Sequence, residues 1–313
     1  MAFDLLTIGE TLVEVMRTEI NQPLDQTALF TGPYASGAPF IFAMQAARLG
    51  AKVAGVGAVG DDAFGDFLLR QFEADGILTE GILKLSQFAT GVAFVAYRGD
   101  GSRDFVFHIK QAAAGQLSPE MLDERWFEGL KCLHLMGSTL SIHDAALQTG
   151  LKAVQWAKKH GAKVSFDPNL RPQLMPFHEA KEKFAPIMAQ ADVLMPTAEE
   201  LQLLTGTETL QAAVTSWLKK DCTIVVTQGA KGCTVYDRHT PYGVHVPSFS
   251  VQEVDPTGAG DCFDAGFLVK WLEGASVTEA ARFANACGAL AVTKQGPAEG
   301  AMKRHIVDDF IGA

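Results

Sequence analysis

The sequence predicts an α/β fold: one mostly parallel sheet flanked by helices on both faces, with a small β-sheet lid. Short strands that are apolar throughout, such as "CLHLMGS", "KVSFDPN" and "TIVVTQG", recur with helical segments between most of them. Strands of that kind are buried on both faces, as in a parallel sheet covered by helices. One stretch, 91–109, breaks the rhythm with two alternating arms around Gly99-Asp100-Gly101-Ser102, which reads as a hairpin. The chain has 313 residues, 48% of them hydrophobic. With no internal repeat or low-complexity linker, it reads as one domain over 1–313.

In chain order, "FDLLTIGETLVEV" is strand-like, and "APFIFAMQAARLG" is a helix with Pro39 in its first turn and Gly50 past its end. "AKVAGVGAVG" is a strand and "DAFGDFLLRQFEADG" a helix that stops at Gly76. After the hairpin come the strands "CLHLMGS", "KVSFDPN", "DVLMPT", "TIVVTQGAKG" and "GCTVYD", then two helices, "GDCFDAGFLVKWLEG" and "SVTEAARFANACGALAVTKQG". Ser276 and Glu279 give the last helix a capping box. A hairpin outside a parallel pattern suits a lid, built here from parts of 11–31 and 91–112. Ligands of open α/β sheets bind at the carboxyl ends of the strands.

Several function classes fall away. The net charge is −10, with no basic run, so nucleic acid is not an expected partner. No apolar run approaches the roughly 20 residues of a membrane span. "MAFDLLTIGE" carries an acid early and no basic segment, so a cytoplasmic protein is expected. The five cysteines are scattered and form no C-x-x-C pair, which reads as buried thiols. "GVGAVG" at 55–60 matches the dinucleotide pattern G-x-G-x-x-G, but Asp61 and Asp62 follow where a pyrophosphate needs positive charge. That turn reads as a helix start capped by Asp61 or Asp62, with Asp61 facing a polyol as a further reading. The phosphate loop G-x-x-x-x-G-K-[ST] is absent.

The stretch that carries chemistry is "EVDPTGAGDCFDAGF", 253–267. Gly258, Ala259 and Gly260 let backbone N–H groups approach a ligand. The helix starting near Asp261 adds its unpaired N–H groups and partial positive charge. Together they form an anion hole for a phosphoryl group in transfer. Asp261 at its rim, ionised at pH 7 if it titrates like free Asp near about 3.9, is placed to accept a hydroxyl proton. The alternative is an ordinary N-cap beside a tight turn.

"DPTGAGDCFDAGF" (255–267) resembles the C-terminal signature of the ribokinase-like, or PfkB, carbohydrate kinases. "IGETLVE" (8–14), "SGAPFIFAMQAARLG" (36–50), "VGAVGDDAFGDFL" (56–68), "VSFDPNLRP" (164–172) and "VVTQGAKG" (225–232) extend the resemblance over essentially the whole chain. The resemblance implies that Asp261 is the catalytic base and that Gly258, Ala259 and Gly260 form the anion hole. It implies an ATP crevice along Thr227, Gly229, Lys231 and Gly232, with Asn285, Ala289 and Gly296 near the adenine. Asp255 and Thr257 match positions that help bind a monovalent cation such as potassium. Magnesium accompanies the ATP, and a homodimer through the lid is implied as well.

Departures from the family fall mainly on the sugar. Thr197 stands where relatives commonly have Asn, while Glu200 keeps its place and is expected to order a magnesium-bound water. Ser36 precedes Gly37 where relatives have Gly-Gly, Ile41 replaces a sugar-binding asparagine, and Glu14 stands for an Asp. The remaining substrate candidates are Ser36, Gly37, Arg103, Lys110, Asn169 and Arg171, with Arg171 able to clamp a carboxylate or stabilise phosphate, or else a surface arginine paired with an acid. Cys262, at a helix start, is expected to be somewhat acidified. The reading is an ATP- and magnesium-dependent kinase acting on a primary hydroxyl of a sugar or sugar acid. The preferred substrate is 2-keto-3-deoxygluconate, with a ketohexose such as fructose or tagatose as the alternative. A non-catalytic sugar or nucleotide sensor is the rival class, and it has no use for a base beside an anion hole.

Overall fold

A computed structural model describes residues 2–218 and 222–312. Its strands are Leu5–Ile8 (β1), Leu12–Arg17 (β2), Phe30–Ser36 (β3), Val53–Gly60 (β4), Leu78–Leu85 (β5), Gly91–Tyr97 (β6) and Arg103–His108 (β7). Cys132–Met136 (β8), Lys163–Asp167 (β9), Val193–Leu194 (β10), Thr223–Thr227 (β11), Cys233–Tyr236 (β12) and Val244–Val246 (β13) follow. The main sheet has nine strands in the order β13-β12-β11-β10-β9-β8-β1-β4-β5. It is parallel from β5 to β11, and β12 and β13 add antiparallel at one edge.

Alternation along the strands divides the core in two. In β8, Cys132 and Met136 face one apolar cluster and Leu133 and Leu135 the other; in β11, Val225 faces the first and Ile224 and Val226 the second. Helices Ala38–Arg48, Ala259–Leu272 and Val277–Ala291 fill the first face, with Phe40, Phe42, Phe267 and Phe283 buried. Helices Asp144–Lys159, Phe177–Met188 and Ala198–Thr205 cover the second. A buried Leu or Phe side chain contributes about 1.5–3 kcal/mol, so double coverage is what holds nine strands together.

The lid is a separate four-stranded sheet in the order β3-β2-β6-β7. The hairpin at 91–109 forms as expected, with Tyr97 opposite Arg103 at its turn end. The segment "FDLLTIGETLVEV" is not one strand. It leaves the main sheet after Ile8 and enters the lid at Leu12. Gly9 is the crossing point: a methyl there would lie 2.3 Å from both Pro39 and Thr139. Three strands escaped the sequence reading. β3 contains Gly32-Pro33, which reads as a turn and is tolerated because β3 is an edge; β5 and β13 are edge strands with exposed positions.

The G-x-G-x-x-G stretch serves packing. Gly55 lies against Phe40, and Gly60 against the Thr90 N–H. Asp62 caps the helix Ala63–Ala74 by accepting from Phe64 and Gly65 N–H. Asp61, exposed, pairs with Lys84 at 3.2 Å instead of facing a ligand. The five cysteines are buried, as expected. No helix among the described residues is long and apolar enough to cross a membrane.

Candidate active site

The carboxyl ends of β1, β8 and β9 open onto a cavity of about 360 Å³, closed on its other side by the lid. Glu10, Glu14, Ser36, Gly37, Ile41, Arg103, Ser138, Asn169, Arg171 and Gly258, with Gly260 and Asp261, line it. The structure thus brings together the expected base, part of the expected anion hole and every expected sugar contact except Lys110. Lys110 instead donates to the Leu174 carbonyl at 3.1 Å.

At one end, helix Ala259–Leu272 begins with Gly258 in the left-handed conformation, φ 78°. Ala259 N–H donates to the Pro256 carbonyl at 3.4 Å, and the next bond back into this turn is Cys262 N–H to Gly258 O at 2.9 Å. The N–H groups of Gly260 and Asp261, the two residues just before Cys262, have no such helical acceptor and are free for an anion. The two glycines differ in kind. A methyl at 258 would lie 2.0 Å from the Pro297 carbonyl oxygen, whereas one at 260 would meet nothing within 4 Å outside its own helical turn. Gly258 is demanded by the fold; Gly260 leaves room for something that is not protein.

Asp261 is 7% exposed. Burial pushes its carboxyl up to about 7, with Arg171 opposing and Glu10 reinforcing the shift. That corrects the expectation of an ordinary, fully ionised aspartate and gives a base poised near neutrality. Cys262 is corrected too: burial raises its thiol well above the usual range, so it is a packed, inert side chain.

At the sugar end, Ser36 Oγ donates to Glu14 Oε2 at 2.8 Å, while Glu14 Oε1 is buried without a partner. Burial holds Glu14 up to about 7. Glu10 was missed by the sequence reading. It accepts from Ser138 at 2.8 Å and from Thr139, partners that follow the neighbouring strand β8, and burial raises its carboxyl. Asn169 sits at φ 36°, held by its N–H to Asp167 Oδ1 at 2.9 Å and its Nδ2 to Asp167 Oδ2 at 3.2 Å. Below it Asp167 and Asp264 are both buried and both held well above the carboxylate range, first by burial and then by neighbouring acids. His134, beside Asp264 at 3.7 Å, is pushed by burial down to about 3 and is neutral. Arg171 donates to the Leu170 carbonyl at 3.2 Å and, among the described residues, forms no ion pair within 4 Å.

The nucleotide candidates divide. Thr227 ends β11 and bridges to Thr197; Gly229 and Lys231 are exposed on the turn that follows. Gly232 is needed by packing, since a methyl would lie 2.1 Å from Val246 O. Asn285 has its amide donors taken by Val246 O at 3.0 Å and Pro247 O at 3.2 Å, so it pins a helix to a loop and offers a ligand no free donor. Ala289 is buried on the same helix. Gly296 lies away from these, donating its N–H to Asp255 at 2.9 Å.

The metal candidates are largely committed to the protein. Glu200 Oε2 accepts from Thr197 N–H and Oγ in a capping box, and Oε1 accepts from Leu170 N–H at 2.7 Å. One acceptor position on Oε1 remains for a metal-bound water. Asp255 accepts four donors: Thr257 N–H at 2.9 Å, Thr257 Oγ at 2.7 Å, Tyr97 hydroxyl at 2.7 Å and Gly296 N–H at 2.9 Å. A carboxylate has about four acceptor positions, so the expectation that Asp255 and Thr257 side chains hold a monovalent cation does not fit this donor set.

The model of the pfkB family of carbohydrate kinases matches residues 3–304. Fructokinase-1 of Oryza sativa subsp. japonica is 34% identical over 302 residues, covering 93% of this chain and 92% of that protein. A solved structure from E. coli, "a putative Ribokinase II in complex with ATP and Mg+2", is 39% identical with a TM-score of 0.93 over 99% of both chains. A double mutant of fructokinase from Vibrio cholerae O395, in fructose, ADP and potassium ion bound form, is 28% identical with a TM-score of 0.84 over 99% of both. The chain belongs to the pfkB family and is an ATP-dependent sugar kinase with the ribokinase-like fold.

Proposed function

We propose that this kinase transfers the γ-phosphate of ATP to a primary hydroxyl of a ketohexose, fructose first. The observation that carries the sugar choice is Glu14, which lines the cavity with one oxygen buried and unpaired. A sugar hydroxyl both donates and accepts, so it suits that carboxyl in either protonation state. A sugar acid would bring a carboxylate near Glu10 and Glu14 and raise the cost of burying all three. Relatives named fructokinases support the same choice over 2-keto-3-deoxygluconate. Arg103 and Arg171, which had favoured a sugar acid, have other work in this reading. Arg103 is held by Thr257 at 2.7 Å, and Arg171 acts electrostatically on Asp261, where it suits the phosphoryl group in transfer.

In this mechanism the acceptor hydroxyl lies against Asp261. Its proton passes to the carboxylate as the oxygen–phosphorus bond forms and the bond to ADP breaks. The free N–H groups of Gly260 and Asp261, at the start of the helix, receive charge on the equatorial oxygens, while Ala259 N–H is held by the Pro256 carbonyl. Magnesium bound with the nucleotide phosphates would supply further charge neutralisation, and the remaining acceptor position of Glu200 would hold it through a water. Thr227, Gly229 and Lys231 border the nucleotide. The lid excludes water, which would otherwise compete as acceptor. Its outer strands carry half-exposed Phe30 and Val106, which fits a homodimer through the lid. A coupled ADP-release screen over ketohexoses, aldoses and 2-keto-3-deoxy acids tests the reading. Fructose or tagatose should give the highest kcat/KM, and a sugar acid ahead of both overturns it.

A further inference from the structure

The lid touches the anion-hole segment through two side chains that the phosphoryl chemistry does not itself need. Tyr97, at the end of β6, donates its hydroxyl to Asp255 Oδ2 at 2.7 Å. Arg103, its cross-strand partner at the start of β7, donates Nη1 to Thr257 Oγ at 2.7 Å. Thr257 in turn donates its hydroxyl to Asp255 Oδ1 at 2.7 Å. The hairpin end is therefore tied to both residues of a single turn, and the next residue along the chain is Gly258.

That turn is clamped from the opposite side as well. Asp255 Oδ2 also accepts Gly296 N–H at 2.9 Å, and the Gly258 Cα packs so closely under Pro297 O that a methyl would lie 2.0 Å away. Residues 255–258 thus lie between the lid and the 296–297 loop, with Asp255, 1% exposed, joining the two. A carboxylate this buried is sensitive to losing a donor, because nothing else in its surroundings can replace the bond. Moving the lid away withdraws the Tyr97 hydroxyl from Asp255 and the Arg103 guanidinium from Thr257 together.

We infer that Tyr97 and Arg103 are positioning residues that couple the closed lid to the shape of the anion hole, through Asp255 and Thr257. The closed lid and the ordered 255–258 turn favour each other, so each stabilises the other by the same free energy. The Tyr97 hydroxyl occupies an acceptor position on Asp255 that a monovalent cation would otherwise need. The inference rests on the kinase activity and is independent of which sugar is taken.

The test is amide hydrogen exchange on the full chain, with no sugar present, so that a failed substrate assignment cannot be confused with a failed coupling. Three protected amides report on the turn: Thr257 and Gly296, bonded to Asp255, and Cys262, bonded to Gly258. Tyr97→Phe, which removes one hydroxyl, should exchange all three at least fivefold faster while amides of β8 and β9 keep their rates. MgATP should slow exchange in the 97–103 hairpin of the wild type and lose that effect in Tyr97→Phe. Thr257→Val is the second variant. If the two substitutions act on one chain of bonds, the double variant speeds exchange at Gly296 and Cys262 little more than the faster single one. Unchanged rates at the three amides in Tyr97→Phe, or accelerations of exchange that multiply in the double variant, overturn the coupling. If Tyr97→Phe speeds exchange everywhere, the hydroxyl is only a stability contact, and the inference fails.

Discussion

Gly258, Ala259, Gly260 and Asp261 are consecutive, and one helix start places all of them. Glu14 within β2, Ser36 ending β3, and Asn169 and Arg171 after β9 reach the same cavity from three strands of two sheets. The first group needs only local geometry: a left-handed glycine, a free first turn and an acid in that turn. The second needs β1, β2, β3 and β9 to be correctly placed against each other. A contiguous device tolerates change elsewhere in the chain, whereas an assembled one can be retuned by moving any of its supports. That difference is why a shared phosphoryl end can be combined with varied sugar ends, and it makes the two ends separable by mutation.

The largest expected effect is at the contiguous end. Asp261→Asn should keep ATP binding and lose roughly 10²–10⁴ in kcat, the range for a positioned general base. Single-turnover phosphoryl transfer with a nucleotide-binding control checks it, and near-normal turnover would remove Asp261 from the mechanism. Next is Gly260→Ala. Its methyl meets nothing in the protein within 4 Å outside its own turn, so melting should be nearly unchanged while kcat falls about tenfold or more from a crowded anion hole. If the variant turns over normally, the space at 260 is not where the phosphoryl group goes. At the assembled end, Glu14→Gln should raise the sugar KM about tenfold, a hydrogen bond's worth at roughly 1.4 kcal/mol, and leave the ATP KM within twofold. A change confined to kcat would instead join Glu14 to the phosphoryl end.

The same contrast governs what could be read in the sequence. The stretch 255–267 was legible because its chemistry depends on neighbours in sequence, and the alternation of apolar strands was legible because double burial leaves a local mark. Glu10 was not: its partners Ser138 and Thr139 lie more than a hundred residues away, and only an acid directly following an apolar strand hinted at it. Asn285 and Glu200 resembled ligand contacts, yet the fold spends most of their hydrogen-bonding capacity on backbone donors and acceptors. Tyr97 was a plain hairpin residue until Asp255 arrived from 158 residues on. β3 hid behind Gly32-Pro33, a pair that a turn uses more often than a strand.

The smallest expected effect asks whether the two ends share one electrostatic environment. Burial holds both Asp261 and Glu14 up to about 7, from ordinary values of 3.8 and 4.5. Between the unfolded and folded values, the native state carries protons that the unfolded chain has released. The stability that these groups contribute is therefore fully present below about pH 4 and is lost as pH rises through about 7. Asp167 and Asp264, raised in the same direction, add to the trend. Carboxylates shifted downward, such as Asp62 and Asp192, act in the opposite sense but only at more acid pH, so a scan from pH 5 to 8 isolates the buried set. The melting temperature should decline across that range by a few degrees, taking about 2–4 °C per kcal/mol for a large domain. Asp261→Asn and Glu14→Gln should each flatten the slope, because neither replacement titrates. Turnover runs the other way, rising towards pH 7 as Asp261 loses its proton, since only the carboxylate can accept one. If Glu14→Gln flattens the melting slope and Asp261→Asn does not, the base is ionised throughout, and burial sets the protonation of the sugar end alone.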